Sequence, residues 1–309
     1  MNGRTPEQAV QSERLRQIRL SVVMPVYNEE ATVATSVARV RAVPLNIEIV
    51  CIDDASTDGT RAVLERLHRD GVVDTLLAHD VNRGKGAAVR RGIQAANGDV
   101  ILIQDADLEY DPAEYPALLE PIVSGRADAV FGSRFLGGPH RVLYFWHRVG
   151  NGLLTLLSNM MTDLNLTDME TCYKLARADL MKSLPLTTDR FGIEPELTAR
   201  LAQTKARIYE VPISYAGRTY AEGKKINWKD GVAAFWHILR VNWTGPRAPE
   251  YKAASSPAAS SSSTAAAVSP PPIASTAPAT PTREPADEPG ARSAPGAVPV
   301  SSGSRRNRA

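Results

Sequence analysis

Three acidic side chains fall at every second position of Asp105-Ala106-Asp107-Leu108-Glu109, directly after the apolar run Val100-Ile101-Leu102-Ile103-Gln104. In an extended segment alternate side chains point the same way, about 7 Å apart per two residues. Three like charges so close need a cation. Hard oxygen ligands suit Mg2+ or Mn2+, which take one or two carboxylates together with substrate phosphates and water. The bland alternative is a solvated acidic turn leading into a helix at Pro112, with Asp111 as its cap.

Two further polar clusters follow apolar runs in the same manner: Pro25-Val26-Tyr27-Asn28-Glu29-Glu30 and Asp53-Asp54-Ala55-Ser56-Thr57-Asp58-Gly59-Thr60. Asn28 and Asp58 read as helix caps and Gly59 as a turn. Of the adjacent carboxylates only one can serve a cap, which leaves Asp54 to accept hydrogen bonds from a base or ribose. Asn82-Arg83-Gly84-Lys85-Gly86 opens a helix, where free backbone N–H groups and two glycines suit an anion. The Walker spacing of a P-loop is absent. Further basic residues are Arg134, in Gly132-Ser133-Arg134-Phe135, and Lys224 and Lys225 in the loop 218–226.

These clusters must be positioned by the segments before them. Short β-rich runs at residues 20–26, 47–52, 73–78, 100–104 and 127–131 alternate with helical patterns. That order predicts an α/β fold with a mostly parallel sheet wrapped by helices. Ligands of such sheets bind beyond the carboxyl ends of the strands, and every cluster above falls at that edge. The ends of the chain read differently. Residues 1–18 form a polar leader, residues 19–245 the folded domain, and residues 246–309 a Ser/Ala/Pro-rich tail that cannot repay the entropy of ordering.

The 36 basic and 34 acidic residues give a net charge of +2, which argues against a nucleic-acid partner. Cys51 and Cys172 lack metal-ligand spacing and read as structural thiols, as fits a reducing cytoplasm. The N-terminal residues lack the apolar core of a signal peptide, and no apolar run reaches the roughly 18 residues that span a bilayer. The expected location is cytoplasmic.

Taken together, Pro25 to Glu29, Asp53 to Thr60, Asn82 to Gly86, Asp105-Ala106-Asp107 and Gly132-Ser133-Arg134 resemble family 2 glycosyltransferases with the GT-A fold. The closest resemblance is to the polyprenyl-phosphate branch typified by dolichol-phosphate mannose synthase, over about residues 19–241. The resemblance implies that Pro25, Tyr27, Glu29, Asp54 and Ala106 line the nucleotide and that Asp105, Asp107 and Glu109 surround Mg2+ or Mn2+. Glu109 stands where the family often has Gln. Arg134 and Lys225 would meet donor or acceptor phosphate, with Asp107 as the central catalytic carboxylate. Gly223-Lys224-Lys225 replaces the family's Gly-Ser-Lys, which leaves open which lysine acts. Asp168, in Asp168-Met169-Glu170-Thr171-Cys172-Tyr173-Lys174, resembles an acidic position that serves as base in relatives acting on hydroxyls. A phosphate acceptor is already an anion and needs no base.

Residues 142–161 place Val142, Phe145, Trp146, Val149, Leu153, Leu156, Leu157 and Met160 on one helical stripe, and Phe235, Trp236, Ile238 and Leu239 mark a second candidate at 228–243. Such amphipathic helices suit the headgroup layer, and equally suit packing on the sheet. With the first on a membrane, Arg148 would meet an acceptor phosphate whose polyprenyl tail lies along the apolar face. The expected activity is inverting transfer of a hexose, from GDP-mannose or UDP-glucose, to dolichyl or undecaprenyl phosphate at the inner face of the cytoplasmic membrane. Contact would be peripheral or through a separate membrane subunit. Transfer to a soluble saccharide or protein acceptor, and an inactive nucleotide-sugar-binding recruitment module, are the rival readings.

Overall fold

The computed structural model describes residues 6–137, 139–142, 144–218 and 228–252. Its centre is a seven-stranded sheet. Strands β1 (Arg19–Val26) and β2 (Asn46–Asp53) are buried at almost every position, as strands covered on both faces must be. β3 (Thr75–Ala78), β4 (Val100–Ile103), β5 (Ala129–Ser133), β6 (Lys174–Arg177) and β7 (Ile208–Pro212) complete the order β3-β2-β1-β4-β6-β5-β7. The runs expected at residues 20–26, 47–52, 73–78, 100–104 and 127–131 correspond to β1 to β5. β6 and β7, each only four or five residues long, had no counterpart among those runs.

β1 pairs in parallel with both β2 and β4, and β5 with β7. β6 runs antiparallel between β4 and β5. This reversal matters for the site, because the start of β6 lies at the same edge as the ends of β4 and β5. The chain therefore delivers residues 168–173 to the edge that already receives Asp105 and Arg134. The order also reverses between β1 and β4, the crevice in which α/β sheets bind ligands.

Helices α2 (Val33–Arg41), α3 (Thr60–Arg69), α4 (Lys85–Ala95) and α5 (Tyr115–Val123) follow the first strands, and α4 packs on β1 and β2. Gly92 of α4 lies so close to β1 and β2 that a Cβ there would collide with Val23 and Ile52. α6 (Phe145–Thr162), α8 (Ile193–Gln203) and α9 (Trp228–Trp243) pack on one another, and the short α7 (Ala178–Ser183) follows β6. The polar leader contains helix α1 (Pro6–Gln17), tied to α5 by Gln11 Nε2 to Glu120 Oε1 at 2.9 Å.

The boundary expected at residue 245 shifts. Residues 246–252 dock on the domain: Ala248 N donates to Gln203 Oε1 at 3.0 Å, and Tyr251 N to Thr204 O at 2.9 Å. Tyr251 OH also reaches Asp179 Oδ2 at 3.0 Å. Composition misses this because one tyrosine and two backbone donors, rather than an apolar run, make the contact. The rest of the expected tail, 253–309, lies outside the described residues. Cys51 and Cys172 are free and buried, and burial pushes the Cys51 thiol up to about 12.

Candidate functional site

The loops after β1, β2 and β4 each hold one non-glycine residue in the left-handed region: Asn28 (φ 51°), Ala55 (φ 58°) and Leu108 (φ 65°). Such backbone is costly and persists where surrounding contacts enforce it. Here those contacts link the loops to one another. Asn28, expected to cap a helix, instead accepts from Thr57 N at 2.8 Å and so ties the β1 loop to the β2 loop. Asp58 and Asp111 do cap, accepting from Thr60 N and Ala113 N, each at 3.0 Å.

Behind the acidic cluster, Gln104 sets the direction of the chain. Its amide oxygen accepts from Tyr115 OH at 2.6 Å and Tyr173 OH at 2.7 Å, and its nitrogen donates to Asp105 O at 2.7 Å. Asp105 then meets Lys85 at 2.9 Å, and Lys85 also pairs with Glu194 at 2.7 Å. Asp107 and Glu109 turn the other way, to Arg218. The guanidinium lies 3.1 Å from Asp107 Oδ2, 3.3 Å from Glu109 Oε1 and 3.6 Å from Glu29 Oε2. Tyr215 OH holds Glu109 Oε2 at 2.7 Å. Burial first, then the Asp105 and Glu109 carboxylates, push Asp107 up to about 7 against the pull of Arg218.

Among the described residues no three acidic, His or Cys side chains converge as a ready cation cage. Their donor set still fits a divalent ion. The oxygens are hard ligands, acid outnumbers base, and a guanidinium stands among the carboxylates as a substitute positive charge.

The β2 loop does not leave Asp54 free, as was expected of it, and Asp53 accepts from Ser56 N at 3.3 Å. Asp54 is buried, and its carboxylate accepts from His79 Nδ1 at 2.7 Å, Arg83 N at 2.9 Å and Gly84 N at 2.7 Å. It is committed to the protein rather than offered to a base or ribose. Asp53 Oδ2 is the buried oxygen without a partner among the described residues. Whether a side chain is spent depends on a turn that arrives 28 residues later, which adjacency in the chain does not reveal.

The same contacts revise the anion site expected at residues 82–86. The first free N–H groups ahead of α4 already bind an anion, the Asp54 carboxylate. Both glycines do admit a close neighbour, but it is the chain itself. A Cβ on Gly84, where φ is +96°, would sit 2.6 Å from Asp189 O, and one on Gly86 would overlap Thr188 O. Ala87 N donates to Asp189 O at 3.0 Å.

Pro25 is half-buried in β1, Tyr27 is exposed at its end and Glu29 half-buried beyond. Ala106 is buried in the core, so only its backbone can face a ligand.

On the other side, Arg134 leaves β5 and is held by Asp168 through two contacts, Nε to Oδ2 at 2.6 Å and Nη2 to Oδ1 at 2.7 Å. Asp168 is fully buried and also accepts from Arg134 N at 3.1 Å. Its geometry is that of a positioning residue for Arg134, not of a base reaching substrate. Glu210 of β7 holds the same loop through Thr167 N at 2.9 Å and Asp168 N at 3.2 Å. Nearby, Glu170 Oε1 is buried without a hydrogen-bond partner among the described residues. Burial, and then Glu194, push its carboxyl up to about 7. Arg148 lies with its guanidinium 3.8 Å over the Phe135 ring, a ring that Arg134 also approaches, at 5.4 Å.

Helix α6 connects this charge to an apolar surface. Asn151, Thr155 and Asn159, spaced by four, form one face. Asn151 Oδ1 accepts from Arg134 Nη2 at 3.2 Å, Thr155 Oγ1 from Met169 N at 3.2 Å and Asn159 Oδ1 from Leu166 N at 3.1 Å. The polar face points inward and the large apolar residues outward: Phe145 is 70% exposed, Trp146 77%, Leu153 63% and Met160 74%. On α9, Trp236 and Trp243 are likewise exposed while Ile238 is buried. No helix among the described residues is long and apolar enough to cross a membrane.

The structure thus brings Glu29, Asp105, Asp107 and Glu109 to one edge, with Arg134, Asp168 and Arg148 at its other end. Lys224 and Lys225 lie outside the described residues. Glu194 and Arg218 belong to the site without having been expected there, and so does Lys85, in a different role from that of the 82–86 anion site. Arg218 sits in Gly217-Arg218-Thr219 with no flanking signal. Lys85 reads as a phosphate ligand until Asp105 and Glu194 are seen around it.

The sequence profile of the family described as Glycosyl transferase family 2 matches residues 21–184. An undecaprenyl-phosphate mannosyltransferase of Micrococcus luteus is 31% identical over 252 residues, covering 75% of this chain and 98% of that one. A dodecaprenyl-phosphate galacturonate synthase of Rhizobium johnstonii is 26% identical over 218 residues, or 69% of this chain and 63% of that one. Among solved structures, glucosyl-3-phosphoglycerate synthase of Mycobacterium tuberculosis, in complex with Mn2+, UDP and phosphoglyceric acid, superposes with a TM-score of 0.58 at 21% identity. The match covers 80% of this chain and 85% of that one. At that identity the likeness establishes the fold, the GT-A arrangement expected above.

Proposed function

The chain belongs to glycosyl transferase family 2, and on that premise we propose that it transfers a hexose from a nucleotide-sugar to a polyprenyl phosphate, with inversion at the anomeric carbon. The observation that carries the acceptor half is the reversed polarity of α6, whose polar face binds Arg134 and the 166–169 loop while its apolar face is exposed. A soluble acceptor would give no reason to expose Phe145, Trp146 and Leu153 beside the site. The polyprenyl-phosphate acceptors named for the two relatives support the same reading.

In this reading Tyr27 and Pro25 line the nucleoside, with GDP-mannose and UDP-glucose as the donors to test. Asp105, Asp107 and Glu109 would hold a divalent cation, Mg2+ or Mn2+. When bound, that cation neutralises charge on the departing diphosphate, where preorganised positive charge lowers the barrier most. Arg134, fixed by Asp168, and Arg148 draw the acceptor phosphate to the other side of the sugar. A phosphate oxygen forms the new bond to the anomeric carbon as the bond to the nucleoside diphosphate breaks, so no base is needed. Lys224 or Lys225 completes the phosphate contacts.

Residues 19–252 form the catalytic domain. The apolar faces of α6 and α9 rest peripherally on the inner face of the cytoplasmic membrane, alone or beside a separate membrane subunit. The test is a donor panel with Mn2+ and a short polyprenyl phosphate, in which released nucleotide and lipid product are read together. Expected is product formation with one donor, dependent on the lipid phosphate. Donor consumption indifferent to that lipid would overturn the acceptor assignment.

A further inference from the structure

Arg218 makes contacts that a surface arginine has no reason to make. Its guanidinium spreads over carboxylates from two loops, Glu29 after β1 and Asp107 and Glu109 after β4. The approach is fixed by backbone as well as side chain: Arg218 N donates to Glu109 Oε1 at 2.9 Å and Ala216 N to Glu109 O at 2.9 Å. Its side chain is only 20% exposed, so these contacts are shielded from water. One positive charge faces three carboxylates, and Arg218 covers Asp107 Oδ2.

We infer that Arg218 is a built-in counter-ion that competes with the divalent cation for Asp107 and Glu109, and so makes cation and donor diphosphate bind cooperatively. The inference rests on the metal-dependent reading given above. A dication satisfies the carboxylates better than one guanidinium but must displace it first. A displaced guanidinium needs an anion, and the donor diphosphate supplies one. Each ligand therefore eases the binding of the other, by the same factor in both directions. Without a diphosphate the site keeps its own cation and holds metal weakly.

Titration of Mn2+ into full-length protein, with free Mn2+ read by electron paramagnetic resonance, tests this with and without UDP or GDP. In the wild type, nucleotide should strengthen Mn2+ binding about tenfold or more, within the range usual for linked sites. Arg218→Gln should bind Mn2+ about tenfold more tightly than wild type without nucleotide, and its gain on adding nucleotide should shrink. Arg218→Lys covers the case of a glutamine variant that does not fold. Lysine keeps the charge but spans fewer carboxylates, so its affinity should also exceed that of the wild type. Unchanged or weaker Mn2+ binding in these variants, with the nucleotide effect intact, overturns the role of Arg218 alone. Absence of Mn2+ binding in every protein with either nucleotide overturns the metal reading as well.

Discussion

The two ends of the active edge use the same side-chain types and handle them in opposite ways. At the end of β4, Glu29, Asp107 and Glu109 share one guanidinium, that of Arg218. At the end of β5, Arg134 pairs with Asp168 through two contacts, and the neutral amide of Asn151 joins both, accepting from Arg134 Nη2 and donating to Asp168 Oδ1. Excess acid is a standing demand for a further cation, whereas a matched buried pair is finished scaffold. Removing one acid should therefore relieve the first and ruin the second.

The largest effect expected is on turnover. Asp107→Asn should lower it by roughly 10²–10³-fold or more, as loss of a preorganised charge-stabilising group does, with unchanged circular dichroism. In chelator-treated buffer the same variant should be more stable than wild type by about 1 kcal/mol, since one like charge is gone from the cluster. Near-normal turnover would remove the metal assignment.

Asp168→Asn should do the reverse. It leaves the Arg134 charge buried without its partner, a loss of about 3–5 kcal/mol measurable by urea denaturation. Equal stability of Asp168→Asn and wild type would erase the contrast between the two ends.

Glu170 sharpens the comparison through pH. Its carboxyl, pushed up to about 7 from an ordinary 4.5, holds its proton better in the folded protein than in the unfolded chain. Stability from this group is full below the unfolded value and is lost as pH rises through the folded one, by roughly 3 kcal/mol. Glu170→Gln should flatten that part of the profile between about pH 4.5 and about pH 7. At the β4 end the raised Asp107 gives a slope of the same sign, but there added Mg2+ or Mn2+ should remove it. A slope at Glu170 that also vanishes with metal would mean the two ends are not distinct.

The smallest effect on folding is expected on the outer face of α6. Trp146→Ser with Leu153→Ser removes side chains that are 77% and 63% exposed, so stability should change by about 0.5 kcal/mol or less. Flotation with anionic vesicles should nonetheless be lost. Retained flotation would place membrane contact elsewhere.

Much of this was legible beforehand because it is local. A buried parallel strand needs an unbroken apolar run, and those before Asp53, Asp105 and Arg134 announce both the strands and the edge at which their polar ends emerge. The apolar stripe of α6 is equally a matter of spacing. The sequence therefore determined the first five strands, the edge and most of the side-chain types gathered there. It could not reveal that Asp54 is already spent, because the backbone donors that satisfy it lie 29 and 30 residues away. Nor could it decide which way the stripe of α6 faces, which follows from hydrogen bonds between Asn151, Thr155 and Asn159 and a loop past the end of the helix. Arg218 lies more than a hundred residues from the carboxylates of the β4 loop that it neutralises. Charge type is written in the chain, but pairing is decided by distance, and distance between remote residues exists only once the chain has folded.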